Sequence, residues 1–414
     1  MIRSAQAVVI GSGAFGASVA FHLQQRGMRD VVLIDQHEIG SQTSARAAGN
    51  AAQARGHHLM AAIARDAVER FRRFTDETGE PLDYVESGSL ALSWTAAGAA
   101  MLSSLRNVGQ ASGLDLELID PALARDLSPF LDPDGATAIL HTPGDLYLEP
   151  AQLPLAYANA FEKRGGQLLP GTAVTGILRD GETVAGVRTE RGDIHAPVVV
   201  DAAGGWARQV AAQAGVRIAL VPVRHQLLVT QPVGGLQPDH PIVRFSDLNA
   251  YLRPSYGGIL LGAYEPEPLV VDPSKQGREF NVAQLGLDLP MLERVAAAIA
   301  PRFRPLSDLD GRLREVRGGL PTMTPDGFPL LGPIPGANGM FVLSGCCVGG
   351  FSIAPSVGAL LADLIVDGRT QLDLSPLALD RFGNAWDDAW LIDACTREYS
   401  LVYDMRRDIT DAAG

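Results

Sequence analysis

Cysteine is scarce in this 414-residue chain, with two adjacent residues, Cys346 and Cys347, and a third at Cys395. Three cysteines cannot frame a disulfide scaffold, and adjacent thiols lack the C-x-x-C spacing of a zinc site or a thiol redox pair. A reduced, cytoplasmic protein is the expectation. Positive charge is also short: 34 Lys and Arg face 47 Asp and Glu, for a net charge of −13. Nucleic acid and anionic membrane surfaces are excluded as main partners, because neither finds a basic footprint. A local basic pocket for a carboxylate stays open. No targeting peptide is expected, since the first strand begins by residue 7 and leaves no room for a charged region followed by an apolar one. Met340 to Val366 carries only Asp363 and is long enough for a bilayer. Gly345, Gly349, Gly350, Pro355 and Gly358 interrupt it, however, and lipid demands an unbroken helix. It reads as a strand Met340–Ser344, a glycine loop and a buried helix over about Ala354–Val366, with no transmembrane span. There is no 20–50-residue repeat and no Ser/His/Asp or Cys/His nucleophile arrangement. No metal site is expected: His57-His58 is adjacent, not spaced for one metal.

What is present starts at the N-terminus. The apolar run Ala7-Val8-Val9-Ile10 leads directly into Gly11-Ser12-Gly13-Ala14-Phe15-Gly16. A helix follows from Ala17 to Gln25, then a second buried strand, Val31-Val32-Leu33-Ile34, ending at Asp35 and Gln36. Gly11 permits the tight turn, Gly13 lets the backbone approach a pyrophosphate, and Gly16 lets helix and strand pack closely. N–H groups at the helix start face the phosphates, and the acid 19 residues after Gly16 can take the ribose hydroxyls. An acid without a basic neighbour favours NAD or FAD over NADP; the motif alone does not choose between them.

The loop Gly40 to Asn50 is rich in small residues and nearly uncharged, which suits backbone contact with a ligand. The pattern predicts an amphipathic helix over Leu59–Thr78, a helix near Ala96–Ala111, and a helix to about Arg164 with Pro150 in its first turn. Strands are predicted at Gln167–Leu169, Ala173–Leu178, Val184–Thr189 and Val198–Ala202. Asp201 to Ala207 then opens a second helix from a glycine turn, so the nucleotide domain is read as discontinuous. From Ile218 to Thr324 the pattern is β-rich, with a helix near Val282–Ile299. The tail carries Trp386, Trp390, Tyr399 and Tyr403 and is read as terminal helices. The fold class is α/β with an α+β substrate domain: a discontinuous Rossmann-like cofactor domain (1–82, 146–217, 324–375), an inserted antiparallel-sheet substrate domain (83–145, 218–323) and a helical tail (376–414).

Several stretches together resemble the FAD-dependent D-amino-acid oxidase superfamily, in its glycine oxidase, sarcosine oxidase and dimethylglycine dehydrogenase branch. They are Gly11–Gly16 with Asp35, Thr43–Gly49, Val199–Trp206, Pro222–Gln226, Thr324–Pro333 and Gly349–Pro355; the T-P-D-G-x-P-x-x-G-P element is the most specific. The resemblance implies FAD. It assigns Ser44, Arg46, Ala47, Ala48 and Gly49 to the cofactor, with Val174 at the adenine, Ala203, Gly204 and Trp206 lining it, and Gly349, Gly350, Phe351 and Ser352 at the isoalloxazine. The tail Ala394–Tyr399 looks like that of dimethylglycine and sarcosine dehydrogenases.

Departures from the family pattern shape the functional expectation. Arg46 stands where dimethylglycine dehydrogenases carry a flavin-linking histidine, and Gly319 where monomeric sarcosine oxidases carry a flavin-linking cysteine, so FAD is expected to be non-covalent. The family's carboxylate clamps fall on Pro321, Val348 and Ser352, and the oxygen-activating lysine on Leu260. The expectation is oxidation of the C–N bond of a secondary amine or amino acid, N-methylated or D, by hydride transfer to flavin N5, as a dehydrogenase. Alternatives are a glycine or D-amino-acid oxidase that makes peroxide, a flavin subunit of a hetero-oligomeric proline, opine or sarcosine dehydrogenase, and an NAD-binding protein without amine chemistry. Partners are a small amine or amino acid and an electron acceptor (oxygen, quinone or protein), in a homo- or hetero-oligomer. Candidate catalytic residues lie in the β-rich insert. Tyr251 and Arg253 alternate on one strand face, and Arg253 is a bidentate carboxylate partner. His225 orients or deprotonates the amine, Tyr264 ends the next strand, and Arg317 is a second clamp.

Overall fold

Ala7–Ile10 and Val31–Ile34 are buried at every residue, as strands covered by structure on both faces must be. They lie inside a six-stranded sheet in the computed structural model, which describes residues 2–401 except 278, 308, 310 and 384. The order is Leu330–Pro333, Met340–Ser344, Val198–Asp201, Ala7–Ile10, Val31–Ile34, Gln167–Leu169. Every neighbouring pair is parallel except the edge pair with Leu330–Pro333. Parallel strands require crossovers, and here the crossovers carry the rest of the molecule. The Rossmann-like unit is discontinuous for that reason. One face packs on the helices Ala14–Gln25, Gln152–Lys163 and Gly350–Asp367. The other packs on the helix Ala207–Gln213 and a three-stranded meander between residues 174 and 195.

The second sheet has eight strands, in the order Leu313–Gly319, His225–Thr230, Gly258–Ala263, Ala250–Ser255, Ile242–Phe245, Ser89–Ser93, Ala138–Thr142, Glu117–Leu118. It is antiparallel apart from one pair, Ser89–Ser93 beside Ile242–Phe245. That parallel seam is where the two insertions meet; each brings its own antiparallel neighbours, and no hairpin links them.

Several helix limits differ from the sequence reading. The helix predicted over 59–78 is two, His58–Arg72 and Phe74–Thr78, broken at Arg73. The helix predicted from Val282 starts at Leu289, where Pro290 suits the first turn and the Asp288 carboxylate accepts from the Met291 N–H; Val282–Gln284 is a single 3-10 turn. Pro150 precedes the helix Gln152–Lys163 rather than opening it. The helix after the glycine loop begins at Gly350, ahead of Ala354, and takes Pro355 inside it; Pro355 forfeits one backbone bond there. It is the one described helix with the length and apolar composition to cross a bilayer, and it lies in the core against Ala14–Gln25 and His58–Arg72. The described tail holds one helix longer than a turn, Asp388–Ser400; Tyr403 falls outside the described residues.

Candidate functional site

The first end of the site is a cleft at the carboxyl ends of the central strands. Gly11 has φ +99°, and a methyl group there would strike the Ala202 carbonyl; one at Gly16 would strike the Gly11 carbonyl. Both must be glycine for the turn to close under the helix. Gly11, Gly13, Asp35, Gln36, Ser44, Val174, Ala203, Gly204 and Trp206 line the cleft. The Asp35 carboxylate is held in place: Oδ2 accepts from the Ser12 N–H and hydroxyl at 2.7 Å each, and Oδ1 from the His37 N–H at 2.8 Å. A carboxylate has about four acceptor sites, so capacity remains for a ribose. Ser44 comes back across the loop, its Oγ accepting from the Ala14 N–H at 2.9 Å. His37 and Gln209 also line the cleft, and His37 Nε2 and Gln209 Nε2 are buried without a partner there. Buried polar atoms are normally satisfied. The glycine cradle, the oriented acid and these two orphaned nitrogens fit the adenosine end of a dinucleotide. Phe15 is not in this cleft; its ring lies over Gly350 and joins the two ends of the site.

The second end is the loop before Gly350–Asp367. Cys347 and Val348 have φ of +43° and +61°, a strained conformation for a β-branched residue that is costly unless the surroundings impose it. The surroundings do. Thr322 Oγ1 accepts from the Gly345 and Cys346 N–H groups at 3.1 and 3.2 Å, and its carbonyl from the Cys347 N–H at 2.8 Å. The Thr324-Pro325-Asp326-Gly327 element is a brace for the same loop. Asp326 takes two bonds from the Arg381 guanidinium, at 2.8 and 3.0 Å, and Thr324 Oγ1 donates to the Phe328 carbonyl at 2.7 Å. A methyl group on Gly350 would collide with Cys346. Ser352 Oγ donates to the Gly349 carbonyl at 2.7 Å and accepts from Arg55 Nη2 at 2.6 Å. Phe351 departs from its assignment to the cofactor: its ring enters the core and stacks on Phe71 at 6.1 Å.

The inserted sheet and the helix Asp388–Ser400 together form an aromatic cluster. His225, Tyr251, Tyr264 and Tyr399 are all buried. His225 Nε2 lies 2.9 Å from the Tyr251 hydroxyl, and Nδ1 lies 2.8 Å from the Tyr399 hydroxyl. The Tyr264 ring centroid is 4.8 Å from that of His225. Burial pulls the His225 pKa down to about 4, so the imidazole is neutral at pH 7. Leu227, Val229, Leu260 and Met323 complete an apolar wall, and Ala48, Cys347 and Val348 pack against it. The cofactor loop, the glycine loop and the sheet therefore converge on the cluster that holds Tyr251, Tyr264 and Tyr399 around His225. Tyr399 was missed as a site residue by sequence reasoning. Its only signal was the resemblance of Ala394–Tyr399 to dehydrogenase tails.

The arginines are placed differently from the sequence reading. Arg253 is fully buried and committed to its own chain. Nε donates to the Ala48 carbonyl at 2.7 Å, Nη1 to Glu149 at 3.1 Å and to the Pro254 carbonyl at 2.6 Å, and Nη2 to the Leu148 carbonyl at 3.4 Å. It is not positioned as a carboxylate clamp, because a buried guanidinium satisfied on every nitrogen has no fork left to offer. Gly49 lies against Leu148 beneath it. Arg317 reaches the same loop, its Nη2 donating to the Ala47 carbonyl at 3.2 Å and its Nη1 to Glu315 at 3.4 Å. Arg317 Nε and Arg46 Nε are buried without partners. Burial lowers the Arg46 pKa, Glu315 opposes that, and Arg317 adds to it. Gly319 abuts Thr43 at the start of the same loop. Two arginines of the sheet thus grip the main chain of Ala47 and Ala48.

The comparisons agree with this geometry. Residues 6–364 match the family of FAD-dependent oxidoreductases termed DAO. The chain is 29% identical over 394 residues to 4-methylaminobutanoate oxidase (formaldehyde-forming) of Paenarthrobacter nicotinovorans, covering 94% of this chain but 47% of that protein. It is 28% identical over 393 residues to sarcosine oxidase subunit beta of Rhizobium meliloti, covering 91% of this chain and 88% of that one. Among solved structures, L-proline dehydrogenase from P. horikoshii superposes with a TM-score of 0.83 at 26% identity, over 92% of this chain and 98% of that one. The chain spans about half the length of the first curated relatives it matches. By the extent of the match and the fold, the chain belongs to the FAD-dependent oxidoreductase family of the D-amino-acid oxidase type, and its cofactor is FAD.

Proposed function

We propose that the chain oxidises the C–N bond of a small secondary amine or amino acid, N-methylated or D, and works as a dehydrogenase. The single observation that carries this reading is the buried aromatic cluster around His225, against which Ala48 of the cofactor loop and Val348 of the glycine loop pack. FAD supplies the two-electron acceptor for the C–H bond. The protein's part is to desolvate and orient the amine. An apolar surround whose histidine is neutral favours an uncharged amine over an ammonium. Tyr251 and Tyr264 are the side chains of that surround nearest His225, and His225 sets the position of Tyr251. Arg55, beside Ser352 and Gly349, takes the carboxylate of an amino-acid substrate, a role Arg253 cannot fill.

FAD is held without a covalent bond in this reading, since Arg46 and Gly319 stand where the resembling proteins link it. Leu260, buried in the apolar wall, offers no cation to activate oxygen, so electrons leave to a quinone or a protein, with oxygen a poor acceptor. A reduced, cytoplasmic setting suits three free thiols. The division of the chain at residues 82, 145, 217, 323 and 375 separates cofactor, substrate and tail units. A second reading, the flavin-bearing subunit of a hetero-oligomer, draws on the near full-length match to a sarcosine oxidase beta subunit. Assays of the purified protein test both readings: dye reduction without peroxide release is expected for the dehydrogenase. Activity that appears only with a co-purified protein favours the subunit, and equal peroxide and product formation contradicts the dehydrogenase.

A further inference from the structure

Tyr256 stands where the backbone suits it least. Ala250–Ser255 and Gly258–Ala263 form a hairpin in which Ser255 pairs with Gly258, so Tyr256 and Gly257 alone make the turn. Their φ values are +51° and +77°. A two-residue turn with both φ positive is of type I′, and it favours Asn-Gly, Asp-Gly or Gly-Gly. Gly257 meets that demand. A bulky tyrosine at the first position is strained, and the fold recovers little from it, since Tyr256 remains 51% exposed. The guanidinium of Arg314, itself exposed, lies over its ring at 4.5 Å from the centroid. A cation–π contact at an exposed site returns less than a left-handed backbone costs.

The ring borders a pocket of about 300 Å³, lined also by Tyr147, Glu149, Leu236, Pro238 and Pro254. The hydrogen bonds of this lining leave an acceptor free. The Tyr147 hydroxyl donates to the Pro238 carbonyl at 2.6 Å. Glu149 Oε1 accepts from Arg253 Nη1 at 3.1 Å and from the Ser255 hydroxyl at 2.9 Å. Glu149 Oε2 is buried without a hydrogen-bond partner, and Arg317 Nη2 stands 3.9 Å from it. An ionised carboxylate only accepts, so the ligand it recognises is a donor, and carboxylates and phosphates are excluded. A small amine has the N–H for Oε2 and an apolar body for Leu236, the two prolines and the rings. The rings also favour positive charge: Arg253 already lies over Tyr147 at 4.6 Å from its centroid. Arg253 and Arg317 do not close the pocket to a cation, because each faces a carboxylate, Glu149 and Glu315.

We propose that this pocket is a second amine site, separate from the His225 cluster: Glu149 accepts from the N–H of a small amine, and the rings of Tyr256 and Tyr147 flank its apolar part. The strained turn is then the means of presenting the Tyr256 ring. Glu149 pairs with Arg253, and Arg253 holds the Ala48 carbonyl, so an amine bound here is linked through one side chain to the cofactor loop. The site does not depend on what the His225 cluster binds.

The test is ¹³C NMR of the FAD-loaded protein labelled on the rings of its eight tyrosines, with Tyr256 and Tyr147 assigned by their loss in Tyr256→Asn and Tyr147→Phe. The probe is pyrrolidine, and the control is cyclopentanol, which has the same ring size and no amine. The flavin is reduced with dithionite beforehand, so no amine is oxidised during the titration and the result is separate from the activity. The expected result is a saturable shift of both tyrosine signals with pyrrolidine, and at least tenfold weaker binding of cyclopentanol. In Tyr256→Asn the Tyr147 signal is expected to need at least tenfold more pyrrolidine, as loss of a desolvated ring contact allows. The same variant is expected to unfold at a higher urea concentration than the wild type, because Asn-Gly suits the turn. Tyrosine signals that do not move, or that move alike with both probes, overturn the proposal. So does an unchanged pyrrolidine titration of Tyr147 in Tyr256→Asn. A lower urea midpoint in that variant also overturns it, since the ring is then held for the fold.

Discussion

Arg253 Nε lies 2.7 Å from the carbonyl oxygen of Ala48, across 205 residues of sequence. This contact ties the inserted sheet to the loop that follows the second strand of the cofactor domain, and Arg317 repeats it one residue earlier, at Ala47. Residues with the chemistry of a substrate clamp serve here to hold the floor of the site.

Replacing Arg253 by methionine removes that tie and leaves Glu149 with Ser255 Oγ at 2.9 Å and the more distant Arg317 Nη2 at 3.9 Å. Losing a charge-assisted hydrogen bond of this kind costs about 1.5–3 kcal/mol. Urea unfolding of Arg253→Met is expected to show a loss of that order together with weaker FAD retention. A raised KM with unchanged stability would show instead that the guanidinium faces the substrate.

Arg55→Gln removes the cation beside Ser352. The expected effect is about a tenfold or larger rise in KM for amino acids, from one lost charge-assisted bond, with little change for amines that lack a carboxylate. An equal loss for both classes places Arg55 in support of the loop alone.

The flavin is expected to leave the protein intact on acid precipitation, with all the yellow colour in the supernatant. Colour retained in the pellet contradicts non-covalent binding at Arg46 and Gly319.

Two buried groups predict opposite pH slopes. The His225 pKa is about 4 in the fold, against 6.5 for an ordinary histidine. Between those values the unfolded chain binds the extra proton, so the His225 contribution is intact above 6.5 and lost as pH falls toward 4, by on the order of 3 kcal/mol. Burial raises the Asp201 pKa from 3.8 to about 8. Its contribution is intact below 3.8 and lost as pH climbs through 8, where the unfolded chain has released a proton that the fold retains. Urea unfolding from pH 4 to 9 is expected to show a smaller acid loss in His225→Gln and a smaller alkaline loss in Asp201→Asn. Parallel curves for variant and wild type contradict the respective assignment.

Much of this architecture was legible before any coordinates. Uniformly apolar Val31–Ile34 and the glycines between residues 11 and 16 mark a buried parallel strand and a phosphate turn, because few other structures tolerate those sequences. The T-P-D-G element was legible as a motif but not as a brace, since Arg381, its partner, lies in an unremarkable stretch. The site itself was only partly readable. Strand alternation places Tyr251 and Arg253 on one face, but it cannot say that the face turns toward Glu149 at one residue and toward His225 at the other. Phe351 carries the family pattern, and its ring faces the core against Phe71, a direction that a motif at a helix start does not specify. Tyr399 was hidden because long-range packing, not local pattern, brings the tail helix to His225.

In the proposed reaction, electrons pass from an amine to FAD beside the aromatic cluster at His225. The most direct measurement is anaerobic titration of the FAD-loaded protein with N-methylated, D- and cyclic amino acids and simple secondary amines, followed by the visible flavin bands. At least one of these is expected to bleach the flavin stoichiometrically, at a rate that rises with pH as the amine loses its proton. A flavin that dithionite bleaches but no amine in the panel reduces would contradict the proposed reaction.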